Sequence, residues 1–236
     1  MRCIPLVAAA SVVAVLAGLP DTARAQQAPH ANDPMNAPPG WAWSLDAPAR
    51  LFNGGRFVPG DTLFDFVHMA PGWHITMGPG AALFDPRERA DGRFVLTGEM
   101  ILFPNASNGE YGVFVGGQGL DGETKTWFAF VVRADGSAAV LHRAGAETHE
   151  VLPWARHAAV RPKPEGATVT NIVQVRAEPD SVRFLVNGER IGAWPRAALA
   201  VDGRFGWRMG HGVNLHATNL DVTRRLAPFP AARPAP

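Results

Sequence analysis

The chain has 236 residues, of which 47% are hydrophobic, and its 22 basic and 21 acidic side chains leave a formal net charge of +1. This balance, without any cluster of lysine or arginine, provides no electrostatic reason to bind nucleic acid or anionic lipid. The single cysteine, Cys3, argues against a disulfide framework, a thiol nucleophile and a cysteine-based zinc site.

The first residues have the features of an export signal. An apolar run extends from Ile4 to Leu19, and Ala23-Arg24-Ala25 has the small-x-small pattern of a signal peptidase site. The run is too short to span a membrane comfortably, and no later segment is apolar enough to stop transfer. We therefore predict a signal peptide over residues 1–25, cleavage after Ala25, and a secreted or periplasmic mature chain without a transmembrane segment. Heavy use of Ala, Arg and Pro indicates a GC-rich bacterial genome.

The mature chain divides into one domain and two flanking segments. Residues 26–40 are rich in Ala, Pro and Asn and lack periodicity, which predicts a disordered tether. Residues 226–236 form a similar Pro-rich tail. Between them, residues 41–225 contain no internal repeat and no convincing helical period, so we expect one domain with at most one helical turn, at Pro195 to Ala200.

The domain reads as consecutive antiparallel strands. From Phe94 to Val140, four short runs rich in Val, Phe and Ile are separated by Asn, Asp and Gly clusters. A second block, from Thr168 to Val222, repeats this pattern. Within it, Asn187-Gly188 supplies the two positive φ angles of a type I′ turn, so the flanking strands should pair as a hairpin. The predicted fold class is all-β.

Alternation along these strands predicts a sandwich. Each strand has one fully apolar face and one mixed face, as expected when two sheets bury their inner faces against each other. Trp207 shares a face with Phe205 and Met209, so we expect it in the core. The mixed faces also carry aromatic and aliphatic side chains, Trp127 among them. At least one outer face should therefore be partly covered or line a groove.

Several late segments are similar to a known superfamily. The hairpin VRFLVNGERIGAW, the strand DGRFGWRMG and the final strand VNLHATNLDV resemble the closing strands of concanavalin A-like lectin/glucanase domains. The closest resemblance is to the 3-keto-disaccharide hydrolase type, whose opening is also similar to GWHITMGPGAALFD here. The similarity covers Leu63 to Val222 and consists of turn and packing residues. It implies a jelly-roll sandwich of two antiparallel sheets, often with carbohydrate on the concave face.

Departures from this superfamily limit the chemistry. The Glu-x-Asp-x-x-Glu run of its β-glucanases is absent, and no legume-lectin metal cluster is evident. His211 and His216 are five residues apart on one strand and should face opposite ways. The glycine cluster at Gly116, Gly117 and Gly119 has no following helix to hold a phosphate. We therefore expect no metal and no cofactor.

Five residues are candidates for a functional site. Glu99 lies mid-strand on a mixed face, where a desolvated carboxyl could act as a catalytic acid or base, although an ordinary surface role is the alternative. Gln174, Arg176 and Arg208 would form a patch of donors for sugar hydroxyls or a carboxylate if their strands are neighbours; otherwise they are solvated side chains. Trp127 is the candidate for stacking on a sugar ring.

These observations favour three functions. The first is an exported bacterial jelly-roll domain that binds a glycan or sugar-derived ligand on one sheet face. The second, implied by the closest resemblance, is a glycoside hydrolase acting on keto-sugar disaccharides, with Glu99 or a loop histidine as acid or base. The third is a non-catalytic envelope or adhesive module.

Overall fold

The computed structural model describes residues 38–46, 64–78, 80–104 and 106–224. The predicted signal peptide, the Pro-rich tail and residues 26–37 of the predicted tether lie outside these ranges. Residues 38–40 form a turn closed by a hydrogen bond from the Trp41 amide to the Pro38 carbonyl (3.0 Å). No helix in the described ranges has the length and apolar character needed to cross a membrane.

The described part of the chain is built from strands joined by turns. The single 3₁₀ turn, Arg196–Ala198, falls where one helical turn was predicted. The strands are β1 (Ala42–Leu45), β2 (Phe64–His68), β3 (Trp73–Met77), β4 (Ala81–Phe84), β5 (Phe94–Leu102), β6 (Tyr111–Gln118), β7 (Thr126–Val132), β8 (Ser137–Ala144), β9 (Glu147–Arg156), β10 (Val169–Ala177), β11 (Ser181–Val186), β12 (Glu189–Pro195), β13 (Arg204–Met209) and β14 (Asn214–Arg224).

In these ranges the strands form two seven-stranded antiparallel sheets. The first sheet has the order β1-β4-β13-β6-β7-β8-β9, and the second has the order β12-β11-β10-β5-β14-β3-β2. Their inner faces share one core, in which Phe130 of β7 meets Phe184 of β11 edge to face at 5.4 Å. Trp207 lies in this core as predicted, against Gly98, where a Cβ would collide with the indole.

The Asn187-Gly188 turn joins β11 and β12 as a hairpin, which confirms the prediction. The φ angles are 52° at Asn187 and 88° at Gly188, the left-handed region that the type I′ turn requires. The Asn187 side chain also donates to Asn171 Oδ1 (2.8 Å), and the side-chain amide of Asn171 donates from Nδ2 to Tyr111 Oη (3.0 Å). This buried chain of hydrogen bonds links the hairpin to the first sheet. Burial, only partly offset by the Asn171 hydrogen bond, raises the pKa of Tyr111 to about 12.

Part of the outer face of the first sheet is apolar and buried, which agrees with the prediction that at least one outer face is partly covered or lines a groove. A second hydrophobic cluster forms there, separate from the core between the sheets, and half-buried Ala42 and Trp154 pack against it. Its members are Ala82, Phe84, Phe114, Leu120, Trp127, Ala129, Val131, Ala139 and Leu141.

This outer face is also concave. Arg143 of β8 donates from Nη2 to the Asp46 carbonyl just after β1 (3.4 Å), although β1 and β8 are five strand positions apart in the sheet order. In a flat sheet, five positions correspond to roughly 24 Å. Lys125, just before β7, likewise donates from Nζ to the Leu45 carbonyl (2.6 Å). The first sheet therefore curves until its β1 edge approaches β7 and β8 across the outer face.

Candidate functional site

The structure separates the five predicted site residues into two groups. Glu99, Gln174 and Arg176 lie together on the outer face of the second sheet, whereas Trp127 and Arg208 meet on the concave face of the first. The predicted patch of Gln174, Arg176 and Arg208 required β10 and β13 to be neighbours. These strands belong to different sheets, so this part of the prediction is wrong.

Polar side chains from three adjacent strands cover the outer face of the second sheet. Gln174 donates to Thr97 Oγ1 (3.0 Å), and Arg176 donates from Nε to Gln174 Oε1 (2.7 Å). This surface is accessible, since even Ile172 beside Glu99 is 37% exposed. We call it the open face, and its polar members are Thr97, Glu99, Gln174, Arg176, Asn219 and Asp221.

The open face supplies Glu99 with a second carboxylate. In the β5–β14 pairing, Asn219 lies opposite Glu99 and Asp221 lies opposite Thr97, so Asp221 is the diagonal neighbour of Glu99. The sequence did not reveal this pair because a bulge between Ala217 and Asn219 sets the register. The two carboxylates lie on an open sheet surface, which does not exclude water from a reaction.

An ion cluster occupies the concave face of the first sheet. Arg208 is only 5% exposed and binds Asp46 through two parallel hydrogen bonds, Nη1 to Oδ1 (2.7 Å) and Nη2 to Oδ2 (2.6 Å). Its Nη2 also donates to Glu110 Oε1 (2.8 Å). Lys125 and Arg143 approach the same region. We call this group the concave cluster, and its members are Ser44, Asp46, Glu110, Lys125, Arg143 and Arg208.

Two glycines make room for the carboxylates of the concave cluster. A Cβ on Gly80 would collide with Asp46 Oδ2, and a Cβ on Gly210 would lie 2.6 Å from Glu110 Oε2. Both glycines flank strands that pair in the first sheet, Gly80 just before β4 and Gly210 just after β13. The backbone therefore approaches closely enough to hold both carboxylates against one guanidinium.

The cations of the cluster respond to one another and to their burial. Burial opposes the charge of Arg208, but the hydrogen bonds and charge of Asp46, together with Glu110, outweigh it and raise the Arg208 pKa. Burial and the charge of Arg143 lower the pKa of Lys125, with Asp46 opposing this and Arg208 adding to it. Lys125 is therefore a half-buried cation whose charged form is disfavoured first by burial and then by the neighbouring guanidinium groups.

Trp127 supports Arg208 and cannot stack on a ligand. The indole is 2% exposed, and the Arg208 guanidinium lies over its ring at 5.0 Å from the centroid. The predicted stacking surface is wrong because Arg208 and the second hydrophobic cluster already cover it. The sequence analysis did not identify the other four charged residues of the cluster, which are Asp46, Glu110, Lys125 and Arg143. They stand in separate turns and strands and converge only through the curvature of the sheet.

A cleft of about 260 Å³ is lined by Trp41, Asp85, Glu88, Phe205, Leu220 and Val222. Its Asp85 is engaged within its own turn, where a hydrogen bond from Arg87 lowers the Asp85 pKa against the opposing effect of burial. Over the described ranges, no group of three or more His, Cys, Asp or Glu side chains is placed to hold a metal ion.

Comparison with known proteins gives matches in structure but not in sequence. Neither a protein-family model nor a curated protein matches the chain. A carbohydrate-binding module CBM66 from Bacillus subtilis is similar with a TM-score of 0.56 and 9% identity, over 78% of this chain and 94% of that one. A Bacillus subtilis protein of unknown function with a galectin-like fold has a TM-score of 0.54 and 12% identity, over 78% and 89% of the two chains.

An alginate lyase A1-II′ is also similar, with a TM-score of 0.50 and 11% identity over 79% of this chain and 95% of that one. Identities this low show the fold alone. The chain therefore has the concanavalin A-like jelly-roll fold that its closing strands predicted.

Proposed function

We propose that this protein is an exported bacterial domain that binds a glycan or sugar-derived ligand at the concave cluster of its first sheet. The observation that carries this proposal is the convergence of five ionisable side chains on one concave face: Asp46, Glu110, Lys125, Arg143 and Arg208. The names of two structural neighbours, a carbohydrate-binding module and an alginate lyase, support carbohydrate as the ligand class. Export rests on the predicted signal over residues 1–25.

The energetics favour a functional role for this cluster. Burying the Arg208 guanidinium with two carboxylates gains little stability compared with well-packed apolar side chains. Perturbed ionisable groups that gather in a concave site are candidates for function. At the edge of the cluster, half-buried Lys125 and Arg143 supply N–H donors. Sugar hydroxyls and carboxylates can accept hydrogen bonds from such donors. The open face is polar, and its Ile172 is 37% exposed.

A binding assay with two sets of variants tests the proposed face. The purified mature chain is titrated calorimetrically with a panel of neutral, acidic and oxidised oligosaccharides. We expect binding that Lys125→Met and Arg143→Gln weaken, while Gln174→Ala and Arg176→Gln leave it unchanged. Lys163→Met is the matched control, because Lys163 also donates to a backbone carbonyl, that of Pro104 (2.9 Å), which is not a member of the cluster. The reverse pattern would move the site to the open face.

Hydrolysis of keto-sugar disaccharides is a second candidate function, favoured by the diagonal carboxylates Glu99 and Asp221. Canonical glycoside hydrolysis uses two carboxyl groups, one as acid and one as base or nucleophile. The measurement is product release from 3-keto-disaccharides. Turnover abolished by both Glu99→Gln and Asp221→Asn would establish the enzyme. Absence of both binding and turnover across the panel would leave the envelope or adhesive module.

A further inference from the structure

Resting on the proposed function, we infer that the ligand of the concave cluster is an acidic sugar whose carboxylate binds between Lys125 and Arg143. The cluster holds three cations and two carboxylates, and both carboxylates bind Arg208. Lys125 and Arg143 are thus left as a pair of cations on one concave face.

Strand register places these two cations side by side. Arg143 of β8 lies opposite Trp127 of β7, and Lys125 precedes Trp127 by two residues, so both cations share the concave face as diagonal neighbours. Both also reach the end of β1. Lys125 donates to Ser44 Oγ (3.2 Å) and the Leu45 carbonyl, and Arg143 donates to the next carbonyl, that of Asp46.

Every described partner of the two cations is a neutral acceptor. Arg143 donates to the carbonyls of Gly145 (2.6 Å) and Asp46 and to the Thr148 hydroxyl (3.2 Å), and Lys125 donates to one hydroxyl and one carbonyl. Neither takes part in a salt bridge among the described residues. Since an ammonium has three N–H donors and Lys125 uses two, one donor remains for a ligand.

A carboxylate satisfies this arrangement better than a neutral hydroxyl. It would accept charge-assisted hydrogen bonds from the Lys125 ammonium and the Arg143 guanidinium, which are stronger than bonds to an uncharged group. It would also relieve the repulsion between the two cations, which adds to burial in lowering the pKa of Lys125. Because the proposed site is half-buried, the attraction would be screened less than at an open surface.

The test compares oligosaccharides that differ only in this charge. Uronic acid oligomers and their methyl esters are titrated calorimetrically into the mature chain at neutral pH. We expect the free acid to bind about tenfold more tightly than the ester, and Lys125→Met or Arg143→Gln to remove that preference. Lys163→Met should preserve it. Because the chain contains only two lysines, Lys125 and Lys163, ¹⁵N-lysine labelling reports each ammonium separately by NMR. The Lys125 pKa should rise when the acid binds, and the Lys163 resonance is the internal reference.

The outcomes separate this inference from the proposed function. Equal affinity for acid and ester, lowered alike by Lys125→Met, would overturn the acidic ligand and retain sugar binding at the cluster. A preference for the acid that persists in both variants, or a bound acid that leaves the Lys125 pKa unchanged, would also overturn it. No binding of any acid or ester, with neutral sugars bound at the open face or nowhere, would overturn both.

Discussion

The outer faces of the two sheets use polar side chains in opposite ways. On the open face of the second sheet, Arg176 donates to Gln174 and Gln174 donates to Thr97, and both hydrogen bonds are half-buried. On the concave face of the first sheet, Arg208 is buried over an indole and bound to two carboxylates. The first arrangement is a chain of hydrogen bonds on a partly solvated sheet surface. In the second, removal of one partner would leave a buried charge uncompensated.

This difference teaches that alternation alone does not locate a site. Both faces carry the same mixture of arginine, carboxylate and apolar residues in the sequence. What the sequence does not show is curvature, which brings the end of β1 to Lys125 and Arg143 across the first sheet. Substituting similar residues on the two faces and comparing the loss of stability tests whether the concave face is packed more tightly than the open face.

The largest contrast should come from Trp127 and Ile172. Trp127→Ala removes a buried indole and the support of Arg208, so the free energy of unfolding should fall by about 3–5 kcal/mol. Ile172→Ala on the open face should cost less than about 1 kcal/mol, because that side chain is already 37% exposed. Urea denaturation measures both. Similar losses would show that the open face is packed as tightly as the concave one.

Arginine substitutions should follow the same pattern. Arg208→Met leaves Asp46 and Glu110 without their cation, and we expect a loss of about 2–4 kcal/mol in the free energy of unfolding. Arg176→Met removes one half-buried hydrogen bond, which is worth about 0.5–1.5 kcal/mol. Chemical denaturation of the two variants measures both losses in the free energy of unfolding. An Arg208→Met protein as stable as the parent would show that the ion cluster contributes no net stabilisation.

A smaller effect is expected from the glycine beside Asp46. Gly80→Ala would push a methyl group into the Asp46 carboxylate, so we expect a loss of about 1–3 kcal/mol. Gly122→Ala is the matched control, because a Cβ there meets only the Gly119 carbonyl, at 3.6 Å. Thermal unfolding followed by circular dichroism compares the two. If both glycines tolerate alanine equally, Asp46 can move away from Gly80 at little cost.

Local pattern accounts for the parts of this molecule that the sequence predicted. The Asn187-Gly188 turn, the 3₁₀ turn near Pro195 and the burial of Trp207 each depend on a few consecutive residues. The jelly-roll fold was predicted from the resemblance of the turn and packing residues in the closing strands to those of a known superfamily. These features need no knowledge of which strands are neighbours across a sheet.

The candidate site depends on long-range geometry, and there prediction from sequence failed. Arg208 and Trp127 were identified individually, but their pairing and the separation of Arg208 from Arg176 follow from strand order. Asp46 and Lys125 are far apart in sequence and stand outside regular strands. Only the curvature of the first sheet brings them together, and no short motif encodes that curvature.

The smallest expected effect is a pH dependence confined to the concave cluster. Burial and the charge of Arg143 lower the pKa of Lys125 in the folded protein, so the unfolded chain binds more protons at this residue. Its contribution to stability should therefore rise as pH increases from the lowered pKa towards the unfolded value of about 10.4. Over that range, the stability of Lys125→Met relative to the parent chain should fall, as followed by urea denaturation at several pH values. A stability difference between the two chains that does not change with pH would place Lys125 in an ordinary solvated environment.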